Sequence, residues 1–341
     1  MKIAVDAMGG DRAPAVIVEG ALLAAREVKS GIVLVGDEGA VGLELRRLSN
    51  GRGNPSTITI RHASETIGMG ESPAAAIKAK KDSSLVVAAR LVKEGEAAAM
   101  VSVGNTGACM TAAFLGLGRL EGIHRPAIAI PIPHVQGTTT VIDAGANVDC
   151  RPAYLAQFGV MGEVYAERVL GVAHPRIGLL NVGEEEGKGN ELTQEAYALL
   201  KASPLNFIGN VEGRDVANGS VDVIVCDGFV GNIVLKMAEG LALAILELVK
   251  AGYRAGGPGT ALGAWLSRPV FRGVKHTMDP ARFGGAPLLG VNGTCIVGHG
   301  ASSPVAVKNA IVVAERLVDQ DVNRRIVERL QAAGLARKAG D

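Results

Sequence analysis

The sequence is short of aromatic residues and of net charge, and both shortages argue against a nucleic-acid-binding role. Phe, Trp and Tyr together make up 3% of the 341 residues, so few rings are present to stack on bases. The formal net charge of +1 gives no overall attraction to a polyanion. We therefore expect no nucleic acid among the partners of this protein.

Clustered cysteines and the common nucleotide-binding fingerprints are also lacking. The cysteines lie far apart, without a CxxC or Cys/His spacing, at Cys109, Cys150, Cys226 and Cys295. Such spacing indicates buried free thiols in a reducing compartment, not a metal site or a disulfide framework. No Walker loop and no GxGxxG fingerprint is present. We expect neither a metal nor an organic cofactor.

A targeting or membrane-spanning segment is not indicated either. The start, MKIAVDAMGGD, carries acids and a glycine pair where a signal peptide needs an apolar run. No stretch of about 18 consecutive apolar residues is apparent, which is the length that a bilayer span requires. We expect a cytoplasmic chain that does not cross a membrane.

Glycine, in contrast, is abundant. The 46 glycines lie between short apolar runs, which alternate with longer helical patterns. The runs predict strands over residues 3–6, 32–36, 57–61, 98–103, 127–131, 138–143, 177–182, 206–209 and 221–226. The longer patterns predict helices over residues 14–29, 73–81, 106–117, 153–170 and 191–200. This alternation predicts a three-layer α/β/α fold with a mostly parallel sheet. We expect one compact α/β unit over residues 1–341, in which two lobes can flank a cleft.

Ligands of such sheets bind beyond the carboxyl ends of the strands, so the turns that follow the strands are the candidate site. DAMGGD, residues 6–11, has two glycines that permit close approach to the backbone. In SVGNTGA, residues 102–108, Asn105 or Thr106 can cap a helix whose free N–H groups favour an anion. The structural alternatives are a tight turn with Asp11 near a helix cap, and an ordinary cap.

Two further turns carry polar side chains. NVGEEEGKGNEL, residues 181–192, places Lys188 between glycines, where it can reach a ligand as a flexible cation tuned or positioned by the preceding acids. CDGFVGNIVLK, residues 226–236, places Asn232 in a first helical turn, where its amide caps the helix or faces a ligand. A solvated acidic loop and a plain helix cap are the structural alternatives.

A fifth element is GHGASSP, residues 298–304. Ser302 or Ser303 is placed to cap a helix that has Pro304 at its first position. His299 can bind an anion or act as acid or base, although a lone loop histidine usually does neither. No GxSxG elbow is present, so hydrolase chemistry is not indicated. Together the five elements describe a cleft ringed by helix N-termini and a few cations, which suits a phosphate-bearing ligand.

In combination, these segments resemble the bacterial phosphate acyltransferases, or acyl-ACP:phosphate transacylases, of phospholipid synthesis. The resemblance is carried, in chain order, by DAMGGD, SVGNTGA, EGIHRPAIA, DAGANVDCRP, NVGEEEGKGNEL, CDGFVGNIVLK and GHGASS. It covers nearly the whole chain, and several of these segments are long enough to be specific. His124 and Arg151 depart from the usual family pattern, at positions to which no chemistry is assigned.

The resemblance implies an enzyme that reversibly transfers a long-chain acyl group from acyl carrier protein to inorganic phosphate. Phosphate attacks the thioester directly, so no Ser or Cys nucleophile is needed. The implied fold is similar to phosphotransacetylases and to isopropylmalate and isocitrate dehydrogenases, in a homodimer. Catalysis is implied for Lys188 and Asn232. For substrate or phosphate binding we predict Asp6, Gly9, Gly10, Gly104, Asn105, Thr106, Gly107, His299, Gly300, Ser302 and Ser303.

The stretch over residues 241–275 has a different character. Its first half is apolar on almost every side, which predicts a core or subunit-interface helix. Its second half holds the only tryptophan beside leucines, and the stretch has five basic residues against one acid. Such a combination predicts contact with a membrane surface or with an acidic protein. We predict a helical element that dimerises through residues 241–249 and presents Leu262, Trp265, Leu266 and Phe271 to lipid.

The family resemblance favours both partners of this stretch, because members are peripheral membrane proteins and acyl carrier protein is acidic. It implies a place at the inner face of the cell membrane, next to the downstream glycerol-3-phosphate acyltransferase. The alternatives are a short-chain phosphotransacetylase that uses acetyl-CoA and a non-catalytic lipid-surface scaffold. An isopropylmalate-type dehydrogenase is less favoured, since no acidic metal cluster is apparent.

Overall fold

The computed structural model describes residues 1–49 and 55–337. Within these residues, one sheet contains eleven strands in the order β3-β2-β1-β4-β11-β10-β5-β6-β9-β7-β8. The strands are β1 Lys2–Asp6, β2 Gly31–Gly36, β3 Ile58–His62, β4 Ala99–Ser102, β5 Ala127–His134, β6 Gly137–Ile142, β7 Ile177–Leu180, β8 Phe207–Val211, β9 Val223–Val225, β10 Ala286–Leu289 and β11 Thr294–Val297.

Helices fill most connections between the strands. They are α1 Ala15–Ala24, α2 Glu38–Leu48, α3 Pro73–Ala79, α4 Ser84–Lys93, α5 Thr106–Leu117, α6 Pro152–Tyr165, α7 Glu191–Ala202, α8 Gly228–Ala255, α9 Pro258–Leu266, α10 Arg268–Thr277, α11 Pro304–Asp319 and α12 Val322–Ala332. A π-helical turn, Ala166–Leu170, continues α6, and two 3-10 turns occupy Gly213–Ala217 and Pro280–Arg282.

Residues in neighbouring positions of the strands point to opposite faces, and both faces are covered. In β1, Ile3 and Val5 pack with α1, α2 and α11 on one face, whereas Ala4 packs with residues of α3, α4 and α5 on the other. Burial on both faces explains why the strands are apolar without alternation. Seven of the ten strand pairings are parallel. The predicted three-layer α/β/α fold with a mostly parallel sheet is confirmed.

Strand direction reverses in the middle of the sheet. β10 is antiparallel to both β11 and β5, and β5 is antiparallel to β6. As a result β1, β4 and β11 run one way, and β6, β9 and β7 run the other way. The carboxyl ends of these two groups of strands therefore lie at opposite ends of the sheet. The expectation that all candidate turns ring one strand edge is corrected: they form two groups.

Helices α8, α9 and α10, residues 228–277, form what we term the helical arm. The buried residues of α8 are Gly228 and Gly231, at its first turn, so this 28-residue helix does not belong to the core of the chain. By length and composition α8 is long and apolar enough to cross a membrane, with 6% of its most apolar window buried. The predicted absence of 18 consecutive apolar residues holds for α8, which Asn232, Lys236, Glu239 and Glu247 interrupt, but its mean hydropathy is nevertheless that of a helix able to cross a membrane.

Candidate active site

The turns that follow β1, β4 and β11 form one group, the first turn cluster, residues 6–11, 102–107 and 298–303. The Asp11 N–H donates to the Gly300 carbonyl at 2.9 Å, and the Gly298 N–H donates to the Ser102 carbonyl at 2.8 Å. A methyl group at Gly9 would lie 2.9 Å from the Gly104 nitrogen, so glycine is required where these two backbones meet. The structure therefore joins the three turns backbone to backbone.

Asp6, the last residue of β1, is buried within the first turn cluster. Its carboxylate accepts hydrogen bonds from Ser84 Oγ at 2.6 Å and Ser102 Oγ at 2.7 Å, and the residue is 3% exposed. Burial raises the pKa of this carboxyl group above its usual range, although the serine hydroxyls oppose that shift. A buried acid is a poor contact for phosphate. The prediction that Asp6 binds substrate directly is corrected to a role in supporting the turn.

The side chain of Asn105 is also hydrogen-bonded to the backbone of the protein. Its Oδ1 accepts from the Ala108 N–H at 3.0 Å as the cap of α5, and its Nδ2 donates to the Met69 and Glu71 carbonyls, each at 3.0 Å. The cap alternative therefore describes this side chain. What α5 still offers to an anion is the pair of backbone N–H groups at its first residues, Thr106 and Gly107.

The third turn of this cluster begins α11. Ser303 Oγ accepts from the Ala306 N–H at 3.2 Å, so Ser303 is the cap, as one of the two predicted candidates. His299 is exposed, and its Nδ1 accepts from the Ala301 N–H at 3.1 Å, which leaves Nε2 for a ligand. Arg12 adds a cation, since its Nη2 donates to the Ser302 carbonyl at 3.0 Å. Arg12 was not among the predicted binding residues, although it directly follows DAMGGD.

The turns that follow β6, β7 and β9 form the second turn cluster, residues 143–147, 181–190 and 227–232. These strands are neighbours and parallel in the order β6-β9-β7, so their carboxyl ends share one edge. This edge is where doubly wound sheets bind ligands. Lys188 and Asn232, the two predicted catalytic residues, follow adjacent strands at this edge.

The backbone of the Lys188 loop is held by hydrogen bonds, while the Lys188 side chain is largely exposed. Asn181 Nδ2 donates to the Lys188 carbonyl at 3.1 Å, and Gln194 Nε2 donates to the Gly187 carbonyl at 3.0 Å. Gly189 has a φ of +94°, and a methyl group there would lie 2.1 Å from Thr193 Oγ1. The Lys188 side chain is 53% exposed, which suits a cation that meets an incoming anion.

The three acids of this loop do not act alike. Glu185 is near the cation, with its Oε2 4.0 Å from Lys188 Nζ. The other two acids bind cations of the protein body at 2.7 Å, in the pairs Glu184–Arg214 and Glu186–Lys201. Of the two predicted roles, tuning or positioning Lys188, these contacts fit the second for Glu184 and Glu186, because both hold the loop on the protein body.

Asn232 is not the cap of α8. The cap is Asp227, whose side chain accepts from the Val230 N–H at 2.9 Å. Asn232 lies one residue beyond the first turn and is exposed, and its side chain has no hydrogen bond to the described residues. The structure thus excludes the predicted cap, and the contact of Asn232 with a ligand stays a prediction.

Lys188 and Asn232 are not connected to the first turn cluster. Across residues 1–49 and 55–337, neither side chain forms a hydrogen bond or an ion pair with that cluster. The strand reversal explains this separation. The first cluster thus offers mainly backbone donors, and the second offers an exposed cation and an amide without a hydrogen bond to the described residues.

The thiols do not form a nucleophile. Cys109 and Cys295 are buried with their sulfur atoms 3.8 Å apart, and this contact together with burial raises the pKa of Cys109. Cys150 is half-buried, and burial with nearby acids raises its pKa to about 12. Because the thiolate is the reactive form, these groups are poorly suited to attack a substrate.

The helical arm has a large exposed apolar surface. Leu262, Trp265 and Leu266 are 59%, 59% and 62% exposed. The ring of Phe271, which was predicted to face lipid with them, is half-buried and packs edge-on against Tyr253 at 5.7 Å. Exposed apolar patches of this kind mark surfaces that meet a partner or a membrane.

Comparisons with known proteins agree with this description. The family model described as fatty acid synthesis protein matches residues 1–325. The chain is 53% identical to the phosphate acyltransferase of Pelotomaculum thermopropionicum, over 98% of this chain and 95% of that one. It is 52% identical to the phosphate acyltransferase of Heliobacterium modesticaldum, over 97% of this chain and 98% of that one.

Solved structures share the fold at lower identity. A phosphotransacetylase from Streptococcus pyogenes matches with a TM-score of 0.60 and 18% identity, covering 94% of each chain. A 4-hydroxythreonine-4-phosphate dehydrogenase from Klebsiella pneumoniae matches with a TM-score of 0.52 and 15% identity, covering 92% of this chain and 98% of that one. The predicted resemblance is confirmed: this chain belongs to the fatty acid synthesis protein family, an acyltransferase family whose relatives compared above are phosphate acyltransferases.

Proposed function

We propose that this protein transfers a long-chain acyl group from acyl carrier protein to inorganic phosphate. The observation that carries the proposal is the pair Lys188 and Asn232, exposed and available at neighbouring ends of parallel strands. Membership of an acyltransferase family over most of the chain supports the reaction class. The long-chain donor is supported by the arm, whose apolar surface has no use with an acetyl group.

In the proposed reaction a phosphate oxygen attacks the thioester carbonyl carbon. The new C–O bond forms, the C–S bond breaks, and the electron pair of that bond leaves with the sulfur. The proton carried by hydrogen phosphate ends on the departing thiol, so acyl phosphate and free carrier are the products. Holding the two reactants together lowers such a bimolecular barrier by roughly 7–11 kcal/mol.

Lys188 and Asn232 supply the electrostatics of this step. The Lys188 ammonium group meets the phosphate, and the Asn232 amide donates to the oxyanion that develops on the carbonyl oxygen. A fixed donor of this kind contributes about 3–4 kcal/mol in enzymes where it has been measured. Backbone donors and His299 of the first turn cluster remain our prediction for further anion binding. The half-buried thiol of Cys150 takes no part.

The arm gives the protein its proposed partners. A second copy covers residues 241–249 in a homodimer, because Leu241, Leu243 and Leu248 are 54%, 66% and 72% exposed in one chain. The arm tip, with Leu262 and Trp265, meets lipid at the inner face of the cell membrane. Acyl phosphate is a reactive anhydride, and a membrane glycerol-3-phosphate acyltransferase consumes it there.

A comparison of acyl donors tests the reaction. Purified protein is given phosphate with either palmitoyl-acyl carrier protein or acetyl-CoA, and release of the thiol is followed with formation of acyl phosphate. We expect turnover with the carrier-bound palmitoyl group and little with acetyl-CoA. Turnover with acetyl-CoA alone would instead identify a short-chain phosphotransacetylase. No thiol release with either donor would favour a non-catalytic lipid-surface scaffold.

Replacing Leu262 and Trp265 with Glu tests the membrane contact separately. Because both side chains are exposed, the variant should fold and keep its turnover in solution while losing sedimentation with phosphatidylglycerol-containing vesicles. Leu43→Glu is the matched control, since Leu43 is 61% exposed on the protein body. Unchanged vesicle binding of the arm variant would rule out the tip as the lipid contact.

A further inference from the structure

The loop after β6 contains a buried carboxylate that collects amide donors. Asp143 Oδ1 accepts from the N–H groups of Ile128, Gly145 and Ala146 at 3.0, 3.1 and 3.0 Å. Its Oδ2 accepts from the backbone N–H and the Nδ2 of Asn147, at 2.7 and 2.8 Å. Asp143 is 0% exposed. Amides thus surround this acid, and they fix the shape of the loop over residues 143–147.

The first turn of α8 packs directly against this loop. The Asn147 carbonyl accepts from the Gly228 N–H at 2.7 Å. A methyl group at Gly231 would lie 1.9 Å from the Asp143 carbonyl oxygen, and one at Gly228 would lie 2.7 Å from the Asn147 carbonyl oxygen. Since Gly228 and Gly231 are the buried residues of α8, its first turn is where the helix rests on the protein body.

The same loop touches Asn232. Gly145 has a φ of +140°, and a methyl group placed there would lie 3.6 Å from Asn232 Cβ. The Asn232 amide has no hydrogen bond to the described residues, so side-chain bonding does not orient it. Its direction follows from where the first turn of α8 lies on the loop.

We propose that Asp143 is a positioning residue that fixes Asn232 for the reaction, by holding the loop on which the first turn of α8 is seated. The inference rests on the proposed function, in which Asn232 contacts the reacting carbonyl oxygen. Asp143 itself is too deeply buried to contact a substrate. Burial raises the pKa of this acid, although the amide donors around the carboxyl group oppose that shift.

A double-mutant cycle tests the proposal. Gly231→Ala lifts α8 from the loop and should lower kcat about 100-fold, the size of loss that a displacement of about 1 Å produces. In an Asn232→Ala background the same substitution should change kcat by no more than about twofold, because its effect passes through Asn232. Gly252→Ala is the matched control, since a methyl group at this exposed glycine of α8 meets no atom within 4 Å.

Asp143→Asn is the conservative second variant. It keeps the shape of the side chain but turns one acceptor into a donor that faces other donors. We expect a loss in kcat of about tenfold at an unchanged KM for phosphate, because one disrupted hydrogen bond costs about 1.4 kcal/mol or more. Circular dichroism and thermal unfolding establish that each variant is folded.

The outcomes separate this inference from the proposed function. Additive losses in the cycle, or near-normal kcat in both Gly231→Ala and Asp143→Asn, would overturn the positioning role while wild-type turnover stands. If Gly231→Ala does not fold, the cycle is run with Asp143→Asn, and the same two results decide. Absence of acyl phosphate formation by the wild-type protein would remove both claims.

Discussion

The two turn clusters contain similar motifs, a strand followed by glycines and a helix, but they use their polar side chains differently. In the first cluster the Asp6 carboxylate and the Asn105 amide are bonded to the protein itself. In the second cluster Lys188 and Asn232 are exposed, and the neighbouring residues hold their backbone instead. A polar side chain in such a turn is therefore available to a ligand only where another group makes the hydrogen bonds that the fold requires.

The difference has a physical cause in each cluster. Asp6 is buried between neighbouring turns. Because a buried polar group must be hydrogen-bonded, its carboxylate oxygens accept hydrogen bonds from Ser84 and Ser102. At the second cluster Asp227 caps α8 and Asn181 bonds the Lys188 carbonyl. These two residues make the structural hydrogen bonds, so that the Asn232 amide has none to the described residues and the Lys188 ammonium group has only the 4.0 Å contact with Glu185.

The largest expected effect concerns the free side chains of the second cluster. Lys188→Ala and Asn232→Ala should each lower kcat about 100- to 1000-fold, because each removes a charge or donor aimed at the developing anion. Arg47→Ala is the matched control, because this cation of α2 is 60% exposed against 53% for Lys188 and pairs only with Glu44 of its own helix among the described residues. Folded variants with near-normal turnover would contradict the assignment and erase the contrast between the clusters.

A smaller effect is expected from the glycine contacts of the first cluster. In Gly9→Ala the new methyl group would lie 2.5 Å from Asp6 Oδ2 and 2.9 Å from the Gly104 nitrogen. We expect the free energy of unfolding to fall by about 1–3 kcal/mol, which is the usual cost of overpacking in other proteins. Gly70→Ala, in open space, serves as the control in urea unfolding and steady-state kinetics.

The KM for phosphate of Gly9→Ala tests whether the first cluster also binds an anion. A raised KM for phosphate in Gly9→Ala, with little change in kcat, assigns anion binding to the first cluster. Loss of stability at an unchanged KM would reduce the first cluster to a purely structural role.

The smallest effect is a pH dependence of stability. Because the pKa of Asp6 in the folded protein is raised above its ordinary 3.8, the native state binds this proton more tightly than the unfolded chain does. The contribution of Asp6 is then fully present below about pH 3.8 and is lost as pH rises through the folded-state pKa. Relative to Asp6→Asn, the wild-type free energy of unfolding should fall over that range in urea titrations. A difference that stays constant with pH would be inconsistent with the raised pKa.

Much of the fold follows from the sequence, since all nine predicted strands occur and α5 has the predicted bounds. Strands β10 and β11 were missed because each has four residues and glycines interrupt the region, which leaves no apolar run of useful length. The reversal of strand direction was also missed. It depends on these two short strands and on antiparallel pairing of β5 with its neighbours, which local patterns do not encode.

The candidate site was predictable in part. Lys188 and Asn232 stand in long motifs, and glycines on both sides of Lys188 already indicated an exposed side chain. The supporting roles of Asp6 and Asn105 were not predictable. They depend on partners far along the chain, Ser84 and Met69 among them, that only the folded structure brings close.

The most direct test of the central claim is the dependence of thiol release on phosphate. Purified protein is incubated with palmitoyl-acyl carrier protein, with and without inorganic phosphate, and the free thiol and acyl phosphate are quantified together. The account predicts that thiol is released only when phosphate is present and in equal amount to acyl phosphate. Release of thiol without phosphate, or without acyl phosphate as product, would contradict direct transfer to phosphate.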